Sequence, residues 1–256
     1  MDPSRDTIET ADTTPLEAVQ PEPVRTPSTM GFVIFVLVLI TAFSSQLVEL
    51  VRSALQYDLN SYIILIPFVS AYLLYVDRER LARVYERALS LAALPFLVAI
   101  ACLILTKIGP AAASLSTNDR LALITLSFVC LIWTGGLLFM GKRWMISAVF
   151  PMLFLVFFVP LPDRVVDLME TGLRWASADA ANMFFVITGT PAMKTGNIFQ
   201  LPGITIEVAQ ECSGIRSSLV LFITSLVAAH LFLTKTSSRL LLIAAVIPLG
   251  ILRNGF

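Results

Sequence analysis

Residues 211–218 read Glu-Cys-Ser-Gly-Ile-Arg-Ser-Ser and lie where a polar segment meets the long apolar run of residues 219–233. Polar and ionisable groups at such a boundary are costly, so they usually serve a function. Cys212 and Arg216 are four positions apart and would share one face of a helix. A helix N-terminus and a nearby arginine both lower the pKa of a thiol, which favours the reactive thiolate. The alternative is an unreactive cysteine beside an arginine that extends to the lipid headgroups.

The composition is that of a membrane protein. Of the 256 residues, 57% are hydrophobic and only 14% are charged, which is more apolar than a soluble domain requires. The formal net charge of zero gives no indication of a nucleic-acid partner. The three cysteines are scattered and form no CxxC or His-rich pattern, so we expect no disulfide framework, no metal site and no cofactor.

The order of polar and apolar segments predicts an all-α polytopic membrane protein. A proline-containing polar tail over residues 1–29 is expected to be disordered, and residues 30–256 form one transmembrane domain. About seven transmembrane helices are expected, because a span takes roughly 20 apolar residues and shorter runs can include flanking residues. The runs cover residues 31–48, 61–76, 88–106, 121–140, 145–159, 219–233 and 240–256.

The basic residues predict the orientation. Loops 77–87, 141–144 and 234–239 are rich in Lys and Arg, whereas loops 49–60 and 107–120 are poorer in them. Basic loops stay on the cytoplasmic side of a membrane. With the N-terminus also inside, residues 211–218 are expected at the outer face.

The longest interruption of the apolar pattern, residues 160–216, predicts an outer-face segment over about residues 160–211. Residues 163–187 are expected to form an interfacial amphipathic helix capped by Asp163, with a short transmembrane helix over residues 178–188 as the alternative. Two β-rich runs flank Pro202-Gly203 and predict a small β-hairpin. A hairpin alone is marginally stable, so it should lie on the membrane helices or on the amphipathic helix.

Two further residues bear on the chemistry of Cys212. His230, the only histidine, lies 18 positions later, about 27 Å along a straight helix, so it is predicted to be an interfacial or packing residue rather than a base. Arg253 has risen about 21 Å from Arg239 and should approach the level of Cys212. There it could hold a thiolate or oxyanion, or it could instead extend to the headgroups.

The same stretches resemble a known family. Residues 211–217, the basic loop that follows, and the sequence Ile-Pro-Leu-Gly-Ile-Leu-Arg-Asn-Gly-Phe at residues 247–256 are similar to the exosortase/archaeosortase family. The resemblance extends to Val-Pro-Leu-Pro at residues 159–162, to the strand at residues 196–201, and to residues 65–74. Many members carry an arginine just beyond the segment that matches residues 254–256, and a later helix is also expected. The resemblance therefore predicts either a C-terminally truncated member or a degenerate one.

The resemblance implies an enzyme, a cysteine protease or transpeptidase of the bacterial inner membrane with its site on the outer, periplasmic face. Its partners would be membrane lipids and the C-terminal sorting signals of exported proteins, each with a PEP-like motif, a transmembrane helix and a basic tail. Cys212 would form the acyl-thioester, and Arg253, in the helix that holds Asn254, would be the essential arginine. Arg216 would hold the thiolate, and Glu211 would position an arginine or the leaving amine. The alternative is a non-catalytic scaffold or a partner in exopolysaccharide export.

Overall fold

The computed structural model describes residues 27–56, 58–86, 88–108, 113–208 and 214–255. Most of the predicted N-terminal tail, residues 1–26, therefore lies outside the described residues. The first helix begins at Thr29, where the Ser28 hydroxyl accepts a hydrogen bond from the backbone N–H of Gly31. Such a cap satisfies one of the backbone donors that every helix leaves open at its start.

Helices follow the apolar runs. Residues 58–65 form a 3₁₀ segment that leads into α3, residues 136–140 extend α5 by a π-helical turn, and residues 155–158 are 3₁₀. The described helices are α1 Thr29–Ala42, α2 Ser44–Gln56, α3 Ile66–Val76, α4 Leu89–Leu105, α5 Thr117–Gly135, α6 Lys142–Ser147, α7 Val149–Phe154, α8 Asp163–Thr188, α9 Ile215–Phe232 and α10 Thr236–Gly255.

The membrane-protein class is confirmed, but the count of seven spans is not. Within the described residues four helices are long and apolar enough to cross a membrane, or up to six if each bent pair is one span. The predicted span 31–48 is bent by 72° between α1 and α2. A second bend, of 93°, separates residues 149–158 from α8 and lies just after the predicted span 145–159. The apolar helix α4 has 17 residues, at the lower limit for a span.

The connection 49–60 between the first two predicted spans contains most of α2. This helix is amphipathic and buries Leu50 and Ala54, whereas Val48, Val51 and Leu55 are exposed. The bend between the two helices turns α2 away from the axis of α1. A helix with one polar and one exposed apolar face is typical of a membrane interface.

The central helix of the bundle is α5. Two thirds of its span, 67%, is buried, compared with 6% for the span of α10. Phe128 of α5 contacts Phe43 and Phe158, with ring centroids 5.5 and 6.2 Å apart. Because α5 is enclosed by other helices, it carries no polar face. The exposed side chains of α10 are apolar, as expected for a helix in contact with lipid.

The three basic loops lie together at one end of the bundle, as their shared orientation requires. The backbone N–H of Lys142 donates to the carbonyl of Glu86 at 3.0 Å, and the Glu86 carboxylate pairs with Arg143 at 2.9 Å. Asp77 lies beside His230, near the end of α9. We call the end formed by residues 77–86, 141–144 and 230–239 the basic end.

The opposite end brings the remaining connections together. The Asp119 carboxylate accepts the backbone N–H of Asp163 at 2.9 Å, and the Asn118 amide donates to the carbonyl of Leu161 at 2.8 Å. Helix α9 begins at Ile215 and runs from here to the basic end over 18 residues. We call the end formed by residues 58–60, 116–119, 161–163 and 214–216 the site end.

The amphipathic helix over residues 163–187 is confirmed as a helix, and it is continuous through residue 188. Asp163 does not cap it, because Pro162 holds the cap position and Asp163 is the first helical residue. The Asp163 carboxylate instead accepts a hydrogen bond from the Asn118 amide at 2.7 Å, across the site end. Gly189 ends the helix in the left-handed conformation at φ 69°.

The predicted hairpin is confirmed and gains a third strand. Strands β1 (Met193–Thr195), β2 (Ile198–Leu201) and β3 (Ile204–Glu207) form an antiparallel sheet in the order β1-β2-β3. Leu201 pairs with Ile204 across Pro202-Gly203, and Gly203 has a φ of 88°. Phe199 is buried against Phe185 of α8, with their ring centroids 5.3 Å apart. The sheet therefore lies on the amphipathic helix, which was one of its two predicted supports.

Candidate functional site

Helix α9 begins directly after the Glu-Cys-Ser stretch. Gly214 precedes it with a φ of 63°, in the left-handed region that favours glycine, and Ile215 is the first helical residue. The backbone N–H of Ser218 and the hydroxyl of Ser217 both donate to the Gly214 carbonyl, at 2.9 and 3.0 Å. The open N–H groups and the positive dipole end of α9 therefore lie next to residues 211–213 in sequence.

The prediction that Cys212 and Arg216 share a helix face concerns a residue outside the described parts of the chain, so it stays a prediction. A residue at positive φ interrupts an α-helix, so the helix that carries Arg216 does not extend back through Gly214. Glu211 and Cys212 lie outside the described residues, and their roles stay predictions. Arg216 lies in the first turn of α9 and its side chain is exposed.

Arg253 lies level with Arg216. Helices α9 and α10 are antiparallel neighbours, and a Cβ placed on Gly250 would lie 3.0 Å from the hydroxyl oxygen of Ser218. Arg253 follows Gly250 by three residues and Arg216 precedes Ser218 by two. At 1.5 Å per residue the two arginines differ by only about 1.5 Å along the bundle. The side chain of Arg253 is exposed, and Asn254 follows it in the last turn, with its side chain outside the described residues.

Polar groups that sequence reasoning passed over lie on the helices around these arginines. The Ser218 hydroxyl is shielded from solvent and has no hydrogen-bond partner within the described parts of the chain. The same holds for Arg174 Nε and for the hydroxyl of Ser177, both on α8, which packs along α10. One feature of the sequence could have indicated the packing around Ser218. Gly250 is a glycine among bulky apolar residues, which indicates a close approach of another helix.

The other candidate residues lie away from the site end. His230 is at the basic end, as predicted, where its ring stacks on Phe150 at 4.0 Å and its Nε2 contacts Asp77. Cys102 and Cys130 are free and buried. Within the described residues no group of three or more His, Cys, Asp or Glu side chains could hold a metal ion.

The arrangement at the site end can support covalent chemistry. It combines a helix N-terminus and two arginines at one level of the bundle, next in sequence to a thiol. Guanidinium groups and helix N-termini both stabilise a thiolate or an oxyanion. The two arginines come from different helices, and the Ser218–Gly250 contact fixes their relative position along the axis of the bundle.

Comparison with known proteins identifies the family to which the chain belongs. The family model for transmembrane exosortase matches residues 53–256, from within α2 to the end of the chain. No curated protein and no solved structure matches the chain. The match includes the site end, the β-sheet and the helix pair α9–α10, and the chain therefore belongs to the transmembrane exosortase family.

Proposed function

We propose that the protein is a membrane-embedded cysteine protease or transpeptidase, and that it cleaves the C-terminal sorting signals of exported proteins. One observation carries the proposal: the Ser218–Gly250 contact brings Arg253 level with the N-terminus of α9, which directly follows Cys212 in sequence. Membership of the exosortase family supports the same reaction class. A substrate with a single transmembrane helix would contact the lipid-exposed surface of the bundle and bring its cleavage motif to the site end.

The proposed reaction begins with the Cys212 thiolate attacking the scissile carbonyl carbon of the substrate. A C–S bond forms, and the carbonyl becomes a tetrahedral oxyanion, which the guanidinium of Arg253 stabilises. Collapse breaks the C–N bond, and the leaving amine takes a proton from water. The resulting acyl-thioester is attacked by water or by an acceptor amine, which regenerates the thiolate.

Each polar group next to Cys212 has a distinct role in this proposal. The N-terminus of α9 and Arg216 favour the thiolate over the thiol. Glu211 positions an arginine or the leaving amine, since a carboxylate unpaired beside the thiolate would raise its pKa. Asn254 supports Arg253 from the last turn of α10. The proposal places this chemistry at the outer, periplasmic face of the bacterial inner membrane.

The rate of thiol modification tests the proposal. Cys102 and Cys130 are buried in helices and serve as internal references in the same chain. In membranes at neutral pH, a small water-soluble alkylating reagent should label Cys212 far faster than either reference, and Cys212→Ser should remove the fast phase. Equally slow labelling of all three would favour the alternative of a non-catalytic scaffold or an exopolysaccharide-export partner.

Reporter fusions test the orientation separately. Fusions at Lys107 and Gln200 should give the outer signal, and a fusion at Ser237 should give the inner one, because the basic residues lie at the other end of the bundle. An inner signal at Gln200 would contradict both the periplasmic site and the cleavage of exported proteins.

A further inference from the structure

A cavity of about 600 Å³ with both polar and apolar lining residues lies at the site end, among residues that the proposed cleavage does not use. Four segments form it: α2, the 3₁₀ segment before α3, the start of α5 and the start of α8. Its volume falls within the range of small-ligand sites, roughly 300–1,000 Å³. Its charged lining consists of the Glu49 and Asp163 carboxylates and the Arg52 guanidinium.

Asn60 indicates that this cavity is built for a ligand. Its side chain lines the cavity and the residue is only 8% exposed, yet the described residues offer it no hydrogen-bond partner. Within the described chain, the solvent-shielded side-chain atoms without a partner belong to other residues, so the Asn60 amide opens into the cavity, where it can bond a ligand. Asn118, which also lines the cavity, donates its two amide hydrogens to the Leu161 carbonyl and to the Asp163 carboxylate. Its side-chain oxygen is therefore the atom that can accept a hydrogen bond from a ligand.

The lining favours a group with several N–H donors. Asp163, Glu49 and the Asn118 oxygen are acceptors, and a primary ammonium supplies three donors and no acceptor. Arg52 suits an anion, since a guanidinium donates two parallel hydrogen bonds to phosphate. Glu49 and Arg52 are three residues apart on α2, so their Cβ atoms lie about 5–6 Å apart. Neither makes an ion pair or hydrogen bond with another described residue.

The position of the cavity points to a lipid. Two candidate spans begin at its wall, the span from Leu59 and the span from Thr117, so the cavity lies at headgroup depth. On α2, the exposed apolar residues Val48, Val51 and Leu55 lie beside the polar residues that line the cavity. This arrangement offers a path for acyl chains next to a site for a headgroup.

We propose that this cavity binds the headgroup of a phospholipid with a primary ammonium, such as phosphatidylethanolamine. The ammonium donates to Asp163, Glu49 and the Asn118 oxygen, and the phosphate accepts from Arg52. Asn60 completes the site by hydrogen bonding to the headgroup from its buried position. The proposal does not depend on cleavage by Cys212, because binding is measured without a substrate.

Lipid retention tests the proposal on the purified full chain. Native mass spectrometry would compare phosphatidylethanolamine, phosphatidylcholine and phosphatidylglycerol with identical acyl chains. Phosphatidylcholine lacks ammonium N–H donors and phosphatidylglycerol lacks the cation, so phosphatidylethanolamine should be retained about 2- to 10-fold better, as expected for a lost hydrogen bond. Equal retention of all three would overturn the proposal and leave a water-filled cavity.

Variants assign the effect to the cavity. Glu49→Gln should reduce the preference for phosphatidylethanolamine over phosphatidylcholine, and Arg52→Ala should weaken retention of both. Both residues are exposed on α2, so these variants should fold. The matched control is Arg164→Ala, an exposed arginine in the first turn of α8 outside the cavity, which should change nothing. If Glu49→Gln and Arg164→Ala behave alike, the preference arises elsewhere and the assignment is wrong.

Discussion

His230 Nε2 lies 2.7 Å from Asp77 Oδ2 and joins the end of α9 to the end of α3 across 153 positions of sequence. Both side chains are largely buried, with 14% and 10% of their surfaces exposed. Phe150 stacks on the imidazole with its ring almost parallel. Because α9 follows the proposed nucleophile, this contact anchors the far end of the helix that begins at the site.

Removing Asp77 should therefore destabilise the bundle. Asp77→Ala leaves the imidazole buried without its partner, which should cost about 1–3 kcal/mol of unfolding free energy. The measurement is the midpoint temperature of detergent-solubilised protein on size-exclusion chromatography. Arg80→Ala is the matched control, since its side chain is 82% exposed, lies 3.7 Å from Asp77, and should contribute less than about 1 kcal/mol. Equal midpoints for Asp77→Ala and the wild type would mean that the contact contributes nothing.

Gly250 should be the position in α10 most sensitive to size. A Cβ at this position would lie 3.0 Å from the Ser218 oxygen, so Gly250→Val should push α9 and α10 apart and displace Arg253 relative to Arg216. Overpacking of this kind typically costs about 1–3 kcal/mol. We expect a lower midpoint temperature and slower substrate cleavage in membranes.

Two further variants test whether the contact itself is responsible. Gly172 of α8 has no atoms near its Cβ position, so Gly172→Ala should be neutral or slightly stabilising. Ser218→Ala removes the hydroxyl oxygen that the Cβ of Gly250→Ala would approach. The double variant should therefore recover the midpoint temperature that Gly250→Ala loses. If the double variant is no better than Gly250→Ala, the loss has another cause.

Local chemistry accounts for the parts of the fold that were predictable from sequence. Long apolar runs gave the helices, and Pro202-Gly203 between β-rich segments gave the turn that joins β2 to β3. The bend near Phe43 was not predicted, because the polar residues 44–46 were included in one apolar run and hydropathy is insensitive to direction. The strand β1 was also missed, although Gly196-Asn197 is a two-residue turn signal of the same kind.

The candidate site was only partly predictable, for a different reason. The height of Arg253 followed from counting residues along a helix, which is a local property. The contacts Ser218–Gly250 and Asp77–His230 join residues far apart in sequence, and one sequence does not specify which helices are neighbours. The exact start of α9 was not predictable from residue spacing, because it depends on the positive φ of Gly214.

The turn between β2 and β3 should be sensitive to the backbone of Gly203 rather than to space. Its φ is 88°, and no atom lies within 4 Å of a Cβ placed there. Gly203→Val should cost about 1–3 kcal/mol, since a β-branched residue is strained in that region. Faster proteolysis of the sheet in the intact protein would report the loss, with Gly172→Ala as the unstrained control. Proteolysis at the wild-type rate would mean that the turn adopts another conformation.

The proposed chemistry predicts an order of severity among three substitutions. Cys212→Ser should abolish cleavage and leave the protein inserted, because a hydroxyl is a poor nucleophile without a dedicated base. Arg253→Lys should lose about 10²–10³ in rate, since an ammonium cannot supply the planar pair of donors of a guanidinium. Arg216→Lys should be mildest, because a point charge at the start of α9 still favours the thiolate.

The assay is cleavage of a sorting-signal substrate in membranes, with insertion checked by the labelling of a cysteine introduced at Lys107. Arg164→Lys, at an exposed position of α8, controls for the loss of a guanidinium as such. The decisive comparison is Arg253→Lys with Arg216→Lys, because the two arginines lie at one level of the bundle on different helices. Full activity of Arg253→Lys would contradict its role at the oxyanion and leave it as an arginine that binds headgroups.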